Sequence, residues 1–212
     1  MPHPQDQSKP PPQPKPRSTL DTLDTLDRYP RGAALRDRRR VTLRLTRPGD
    51  RIAIDALVDR LPSDDLMFAR TYLTQDGLTI DWIDDADSFW TTAVVAESRG
   101  EIVGFAHLHY NPDADPRPSQ SERATADIQF VVAPEYRGLG LGSLLAGECV
   151  WIVDWLQLPE VQARVTSGQP AARAVFERLG FLPVAMLQDG AVTARGRPRH
   201  ILLMRRTTTT TT

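Results

Sequence analysis

Asp127-Ile128-Gln129-Phe130-Val131-Val132-Ala133-Pro134-Glu135-Tyr136-Arg137-Gly138-Leu139-Gly140-Leu141-Gly142-Ser143-Leu144-Leu145-Ala146 decides how the rest of this chain is read. An apolar run enters a glycine-rich turn, and the turn enters a helical pattern that continues to about Gln157. Gly138, Gly140 and Gly142 let the turn take backbone angles closed to other residues and lie against a ligand without intervening side chains. Its amides converge with the unpaired N–H groups of the first helical turn, where the helix dipole places about half a positive charge. A phosphate or diphosphate is the guest that such a point attracts, and Arg137 adds a donor suited to phosphate oxygens.

Spacing separates the possible phosphate loops. A Walker loop requires Lys and then Ser or Thr after its last Gly, whereas Gly142 is followed by Ser143-Leu144. A dinucleotide fold requires G-x-G-x-x-G and an acidic residue ending the next strand, which here reads Val161-Gln162-Ala163-Arg164-Val165. The pattern present is R-x-x-G-x-G, carried by Arg137, Gly140 and Gly142. It resembles the acetyl-CoA signature of the GNAT superfamily of N-acetyltransferases, whose loop amides hold the coenzyme diphosphate. A second stretch, Gln169-Pro170-Ala171-Ala172-Arg173-Ala174-Val175-Phe176-Glu177-Arg178-Leu179-Gly180-Phe181, is similar to that family's closing helix.

The resemblance implies an α/β protein with a mixed, mostly antiparallel sheet of about six to seven strands flanked by helices. It also implies acetyl-CoA as cosubstrate and coenzyme contacts from Val131, Val132, Arg137, Gly138, Leu139, Gly140, Leu141, Gly142, Ser143, Gln169 and Phe176. No metal is expected, because spacing offers no third ligand beside His107 and His109. Val41-Thr42-Leu43-Arg44, Arg47-Pro48-Gly49-Asp50 and Leu61-Pro62-Ser63-Asp64-Asp65-Leu66-Met67-Phe68 resemble one branch, the bacterial Pat-type protein lysine acetyltransferases. That branch implies an amine acceptor, with a protein lysine favoured over a small amine or antibiotic.

With 212 residues, 40% of them hydrophobic, and a formal net charge of −1, the chain is expected to form one globular domain. Near-neutral charge argues against nucleic acid as the main partner. The single Cys149, at helical intervals from Leu145 and Ile152, reads as a buried thiol and suits a reducing compartment. Neither a spanning segment nor a signal-peptide core is visible, so a cytoplasmic protein without a membrane partner is expected, as monomer or homodimer. Residues 1–28 read as a Pro-rich disordered tail that includes the repeat Thr19-Leu20-Asp21-Thr22-Leu23-Asp24-Thr25-Leu26-Asp27, for which a brief helix docked on the body is the alternative. Residues 29–206 read as the acetyltransferase domain, and 207–212 as a disordered threonine tail.

Within the domain, Arg36-Asp37-Arg38-Arg39-Arg40 reads as a solvated edge, with nucleic-acid binding as its alternative. Val41 to Thr46 alternates like a half-buried strand, and Asp50 is placed to cap a helix from Arg51 to Arg60. Pro62 opens a second helix to about Leu73. Residues 75–90 form an acidic, aromatic connection, and 111–120 an irregular loop. Thr91 to Ser98 and Glu101 to His109 form a hairpin; Val161 to Thr166, Phe181 to Leu187 and His200 to Arg205 supply further strands, the last two joined by a polar connection.

The chemistry needs a group to take a proton. A lysine with a pKa of about 10.4 costs about 4.6 kcal/mol to neutralise at pH 7. Asp127 stands where the resemblance places a catalytic glutamate, one methylene shorter, which favours relay through water. A structural Asp paired with a nearby Arg is the alternative reading. His107 and His109, two apart on a strand, share one face of the sheet and are further candidates, with strand-edge histidines of no catalytic role as the alternative reading. Phe176 occupies the position of the family's Tyr acid and cannot donate a proton; Gln169 replaces an Asn. The resemblance implies that the backbone N–H of Val132 is the donor to the thioester oxygen. A silent acyl-CoA-binding module is the rival from another class.

Overall fold

The computed structural model describes residues 27–62, 65, 91–109, 125–192 and 196–208. The Pro-rich tail, nearly all of the Leu-Asp repeat, most of the second helix, the acidic connection and the 111–120 loop lie outside these residues. The described elements in chain order are β1 (Arg31–Ala34), β2 (Arg40–Leu45), α1 (Arg51–Asp59), β3 (Thr91–Ser98), β4 (Glu101–His109), β5 (Thr125–Val132), α2 (Leu141–Trp155), β6 (Glu160–Thr166), α3 (Pro170–Arg178), β7 (Leu182–Val192) and β8 (Pro198–Thr207).

They build one sheet of eight strands in the order β1-β2-β3-β4-β5-β6-β8-β7. Every neighbouring pair is antiparallel except β5 and β6. The sheet exceeds the expected six to seven strands. Arg31-Gly32-Ala33-Ala34 carries no alternation of large apolar residues, and only its pairing with β2 makes it a strand. The polar connection near the end of the chain is also shorter than expected, because β7 extends to Val192 and β8 begins at Pro198. β8 takes in Thr207, and Thr208 donates its N–H to Pro159, so the threonine run begins inside the fold.

Side-chain alternation assigns the two faces. An added Cβ at Gly104 would meet Leu145 and Leu141, so this side of β4 faces α2. Gly104 is opposite Val132, and Ile128 and Phe130 therefore share that face. Phe105, His107 and His109 point the other way, opposite Val131, Gln129 and Asp127. β4 is buried continuously from Ile102 to Leu108, and α1 packs on it through Ile54 and Leu57. Each such fully buried aliphatic side chain is worth about 1.5–3 kcal/mol.

One local expectation is revised by tertiary contacts. Asp50 does not cap α1 with its side chain; its carboxylate accepts the Arg47 N–H at 2.8 Å and pairs with Arg44 at 2.6 Å. Glu148, in the middle of α2 and 2% exposed, accepts from Arg28 at 3.0 Å, from the Tyr29 hydroxyl at 2.7 Å and from Arg31. Arg28 also lies 3.8 Å from the Trp151 ring centre, so a buried carboxylate and an aromatic face fasten the segment ahead of β1 to α2. Burial and the Glu148 charge push the Tyr29 phenol upward, which keeps it a hydrogen-bond donor.

Candidate functional site

Between β5 and α2 the chain makes a short 3-10 turn at Pro134–Tyr136 and then the glycine turn. Gly138 (φ 71°) and Gly140 (φ 95°) occupy the left-handed region, and a Cβ added at either would meet no protein atom within 4 Å. Both line a cleft of about 340 Å³, so the missing side chains leave room there for a ligand. Gly142 has a different reason to be glycine: its added Cβ would sit 2.9 Å from the Phe130 ring. Gly140 is the N-cap of α2, whose first backbone bond runs from Leu144 to Gly140. The first-turn amides, including those of Leu141, Gly142 and Ser143, are thus without intrahelical partners.

Arg137, Gly138, Gly140, Gly142, Ser143 and Gln169 all line the cleft, as do Val131 and Val132. Leu141 is wholly buried and Leu139 packs against the core, so what these two can offer a ligand is backbone. Arg137 is more engaged than its position suggests: it donates to the Val132 carbonyl at 3.1 Å and to Asp65 at 2.8 Å, which leaves the guanidinium's other donors for phosphate. Gln169 accepts the Thr166 N–H at 3.3 Å through its amide oxygen, leaving its NH2 group as a donor. Phe176 is 3% exposed and packs on Phe130 and Phe181 at 5.4 and 5.0 Å between ring centres.

β5 and β6 pair only from Thr125/Glu160 to Ile128/Ala163 and then part. A cavity of about 50 Å³ fills the opening, bounded by Gln129, Val131, Arg164, Gln169 and Phe176 among others. It shares Phe130, Val131 and Gln169 with the cleft, and its lining includes Gln129 and Val131 from the opposite face of the sheet. Ala133 donates its N–H to Val103 of β4 at 2.9 Å. Alternation turns the neighbouring Val132 N–H away from β4 and into the opening, the side on which its carbonyl meets Arg137.

Asp127 stands where β5 and β6 still pair. Gln162 donates to it at 3.1 Å, and Arg164 lies at 3.5 Å. Burial raises its pKa above the usual carboxylate range, partly offset by the Arg164 charge, the Gln162 hydrogen bond and His109. His109 is exposed and opposite Asp127 on β4; His107 is buried, and desolvation, followed by the charge of His109, pushes its pKa down to about 4. β4 lies inside the sheet, so neither histidine is on an edge strand. Cys149 is fully buried, with its thiol pushed upward by burial, consistent with a packing role. Among the described residues no group of three or more His, Cys, Asp or Glu is arranged to hold a metal, and no helix is long and apolar enough to cross a membrane.

The sequence matches the Acetyltransferase (GNAT) family over residues 55–181. The chain belongs to this family. It is a transferase of acyl groups, and acetyl-CoA is its cosubstrate. Among solved structures, it is similar to a GNAT-family acetyltransferase from Streptococcus pneumoniae, at 22% identity, with 79% of this chain and 99% of that one covered and a TM-score of 0.64. A putative acetyltransferase from Salmonella typhimurium, solved with its cofactor acetyl-CoA, is 19% identical over 81% of this chain and 95% of that one, with a TM-score of 0.62. The GNAT domain of PAT from S. lividans is 13% identical over 84% of this chain and 96% of that one, with a TM-score of 0.59. No curated protein matches the sequence.

The glycine turn and the closing helix were legible as motifs. Arg36, Arg178, Gln162 and Arg164 were not among the sequence-derived site residues. The alternation of Gln162 and Arg164 with Val161, Ala163 and Val165 signals a polar strand face, but only the parallel register places that face beside Asp127.

Proposed function

We propose that this GNAT enzyme acetylates a primary amine, a protein lysine in particular, with Asp127 as general base. The observation carrying this reading is the half-open seam between β5 and β6, which joins the phosphate-binding cleft to a sheet face bearing a desolvated carboxylate. The cosubstrate supplies the acetyl group as a thioester. The chain's own residues do the rest. The glycine turn and the first-turn amides of α2 hold the diphosphate, and Gln169 orients the pantetheine arm with its NH2 group. The Val132 N–H stabilises negative charge developing on the thioester oxygen. The amine nitrogen forms the new bond to the carbonyl carbon as the carbon–sulfur bond breaks. Asp127 lines neither cavity but adjoins the smaller one through Gln129 and Arg164, so it receives the amine proton through an intervening water. The thiolate takes a proton from solvent, since Phe176 has none to give.

Asp127 is favoured over His107 on physical grounds. A raised carboxylate pKa moves toward neutral pH, where a base works best, whereas an imidazole lowered to about 4 is a poorer base than an ordinary histidine. Support for lysine comes from the branch-like residues around Arg44 and Asp50 and from the likeness to the PAT domain. The test is release of free coenzyme thiol with a panel of lysine peptides and small amines. Turnover confined to lysine peptides upholds the reading. Turnover with small amines alone makes this a small-molecule acetyltransferase, and binding without release under any acceptor makes it a silent acyl-CoA module.

A further inference from the structure

The β1–β2 hairpin lies ahead of the segment that matches the family, yet its turn rests on the phosphate loop. The hairpin takes three of the loop's carbonyls. The Arg36 N–H donates to Leu139 at 3.1 Å, the Arg36 guanidinium reaches Gly138 at 3.4 Å, and Arg39 donates to Glu135 at 2.7 Å. Arg39 is a fastener: it lies 4.2 Å from the Tyr136 ring centre, and Asp37 balances its charge at 2.5 Å.

Arg36 is placed differently. It is exposed, it lines the cleft, and its guanidinium meets only the Gly138 carbonyl, at the long end of hydrogen-bond range, with no paired carboxylate among the described residues. The other cations on the wall are more committed, Arg137 to Asp65 and Val132, and Arg178 to the Ser143 hydroxyl at 3.2 Å.

We propose that Arg36 is a coenzyme-phosphate ligand, carried to the rim of the cleft by a hairpin whose backbone is already tied to the loop. A planar guanidinium with spare donors suits phosphate oxygens, and the backbone bond to Leu139 settles part of the ordering cost before the ligand arrives. The cluster that read as a solvated edge is therefore divided: Arg39 holds the hairpin down, Arg36 meets the ligand, and Arg38, at φ 68°, turns the chain.

Calorimetric titration of the full chain with acetyl-CoA and with its 3′-dephospho analogue tests this. Arg36→Ala is expected to weaken acetyl-CoA binding about tenfold, the scale of one hydrogen bond to a charged group, with kcat at saturation unchanged. Arg36→Lys is expected to recover part of the loss, and Arg38→Asn, which keeps a residue tolerant of positive φ, to bind within about twofold of wild type. The loss is expected to shrink at high salt, because an exposed charge pair is screened. A loss seen only with acetyl-CoA assigns Arg36 to the 3′-phosphate, and one seen with both ligands assigns it to the diphosphate. Wild-type affinity in Arg36→Ala, or a loss unmoved by salt, overturns the proposal. A wild-type chain that binds neither ligand overturns the cosubstrate assignment instead, and this proposal with it.

Discussion

The two faces of β5 differ in how they are built. On the side of Ile128, Phe130 and Val132, contacts are close: α2 rests against Gly104, and Gly142 leaves just enough room for the Phe130 ring. On the side of Asp127, Gln129 and Val131 the strand carries polar groups, with His107 and His109 opposite and Gln162 and Arg164 beside them. In the proposed reading the first side serves a diphosphate, the same in every coenzyme A molecule, and can be rigid. The second then serves the acceptor, which differs from one enzyme to another, through side chains whose charge and reach can be exchanged.

The largest expected effect breaks the comparison if it fails. Asp127→Asn is expected to lower kcat about 10²- to 10³-fold while leaving acetyl-CoA affinity within about twofold, measured by thiol release and calorimetry. An equal loss of affinity would mean that the two faces are not separable. The same variant carries a stability signature. Because the folded-state pKa of Asp127 is raised, its carboxyl favours the fold below the unfolded pKa, and that contribution is lost as pH rises through the folded value. Asp127→Asn is therefore expected to have the higher Tm at pH 7, the gap closing as pH falls below about 3.8, read by calorimetry at several pH values.

Gly140→Val acts on the other face. A side chain at φ 95° costs at least about 1–2 kcal/mol and projects into the cleft, so acetyl-CoA affinity is expected to fall about tenfold or more, with kcat at saturation largely kept. Gly104→Ala probes the rigidity claimed for that side. Its new Cβ would lie 2.9 Å from the Val131 carbonyl and 3.0 Å from Leu145, and denaturant unfolding is expected to show a loss of about 1–3 kcal/mol. A neutral result would show that the α2 face yields more easily than its contacts imply.

The smallest effect is a displacement along the pH axis. The Arg164 charge favours the ionised form of Asp127, so Arg164→Met makes ionisation harder. The acidic limb of kcat/KM is expected to move to higher pH, with the activity plateau nearly preserved. An unmoved limb would detach Asp127 from the proton transfer or Arg164 from Asp127.

Much of the glycine turn was legible beforehand because its conformation is written in short-range terms. Glycines at fixed spacing, an arginine before them and a helix after them specify a turn whose amides converge, whatever the rest of the chain does. Gly142 shows the limit of such reading. It belongs to the motif by spacing, but the ring of Phe130, twelve residues earlier, is what forbids it a side chain. The strand Arg31–Ala34 shows another limit, since four residues of weak propensity become a strand only through the partner beside them.

By itself the sequence determined the strand, the glycine turn, the helix behind it and the family to which they belong, because those depend on residues adjacent in the chain. Tertiary structure alone decided that Gln162 and Arg164 flank Asp127, that Arg39 anchors a hairpin beside the glycine turn, and that Glu148 gathers Arg28, Tyr29 and Arg31. Strand register and the burial of charge join residues more than thirty positions apart, and no local pattern records which of them will meet.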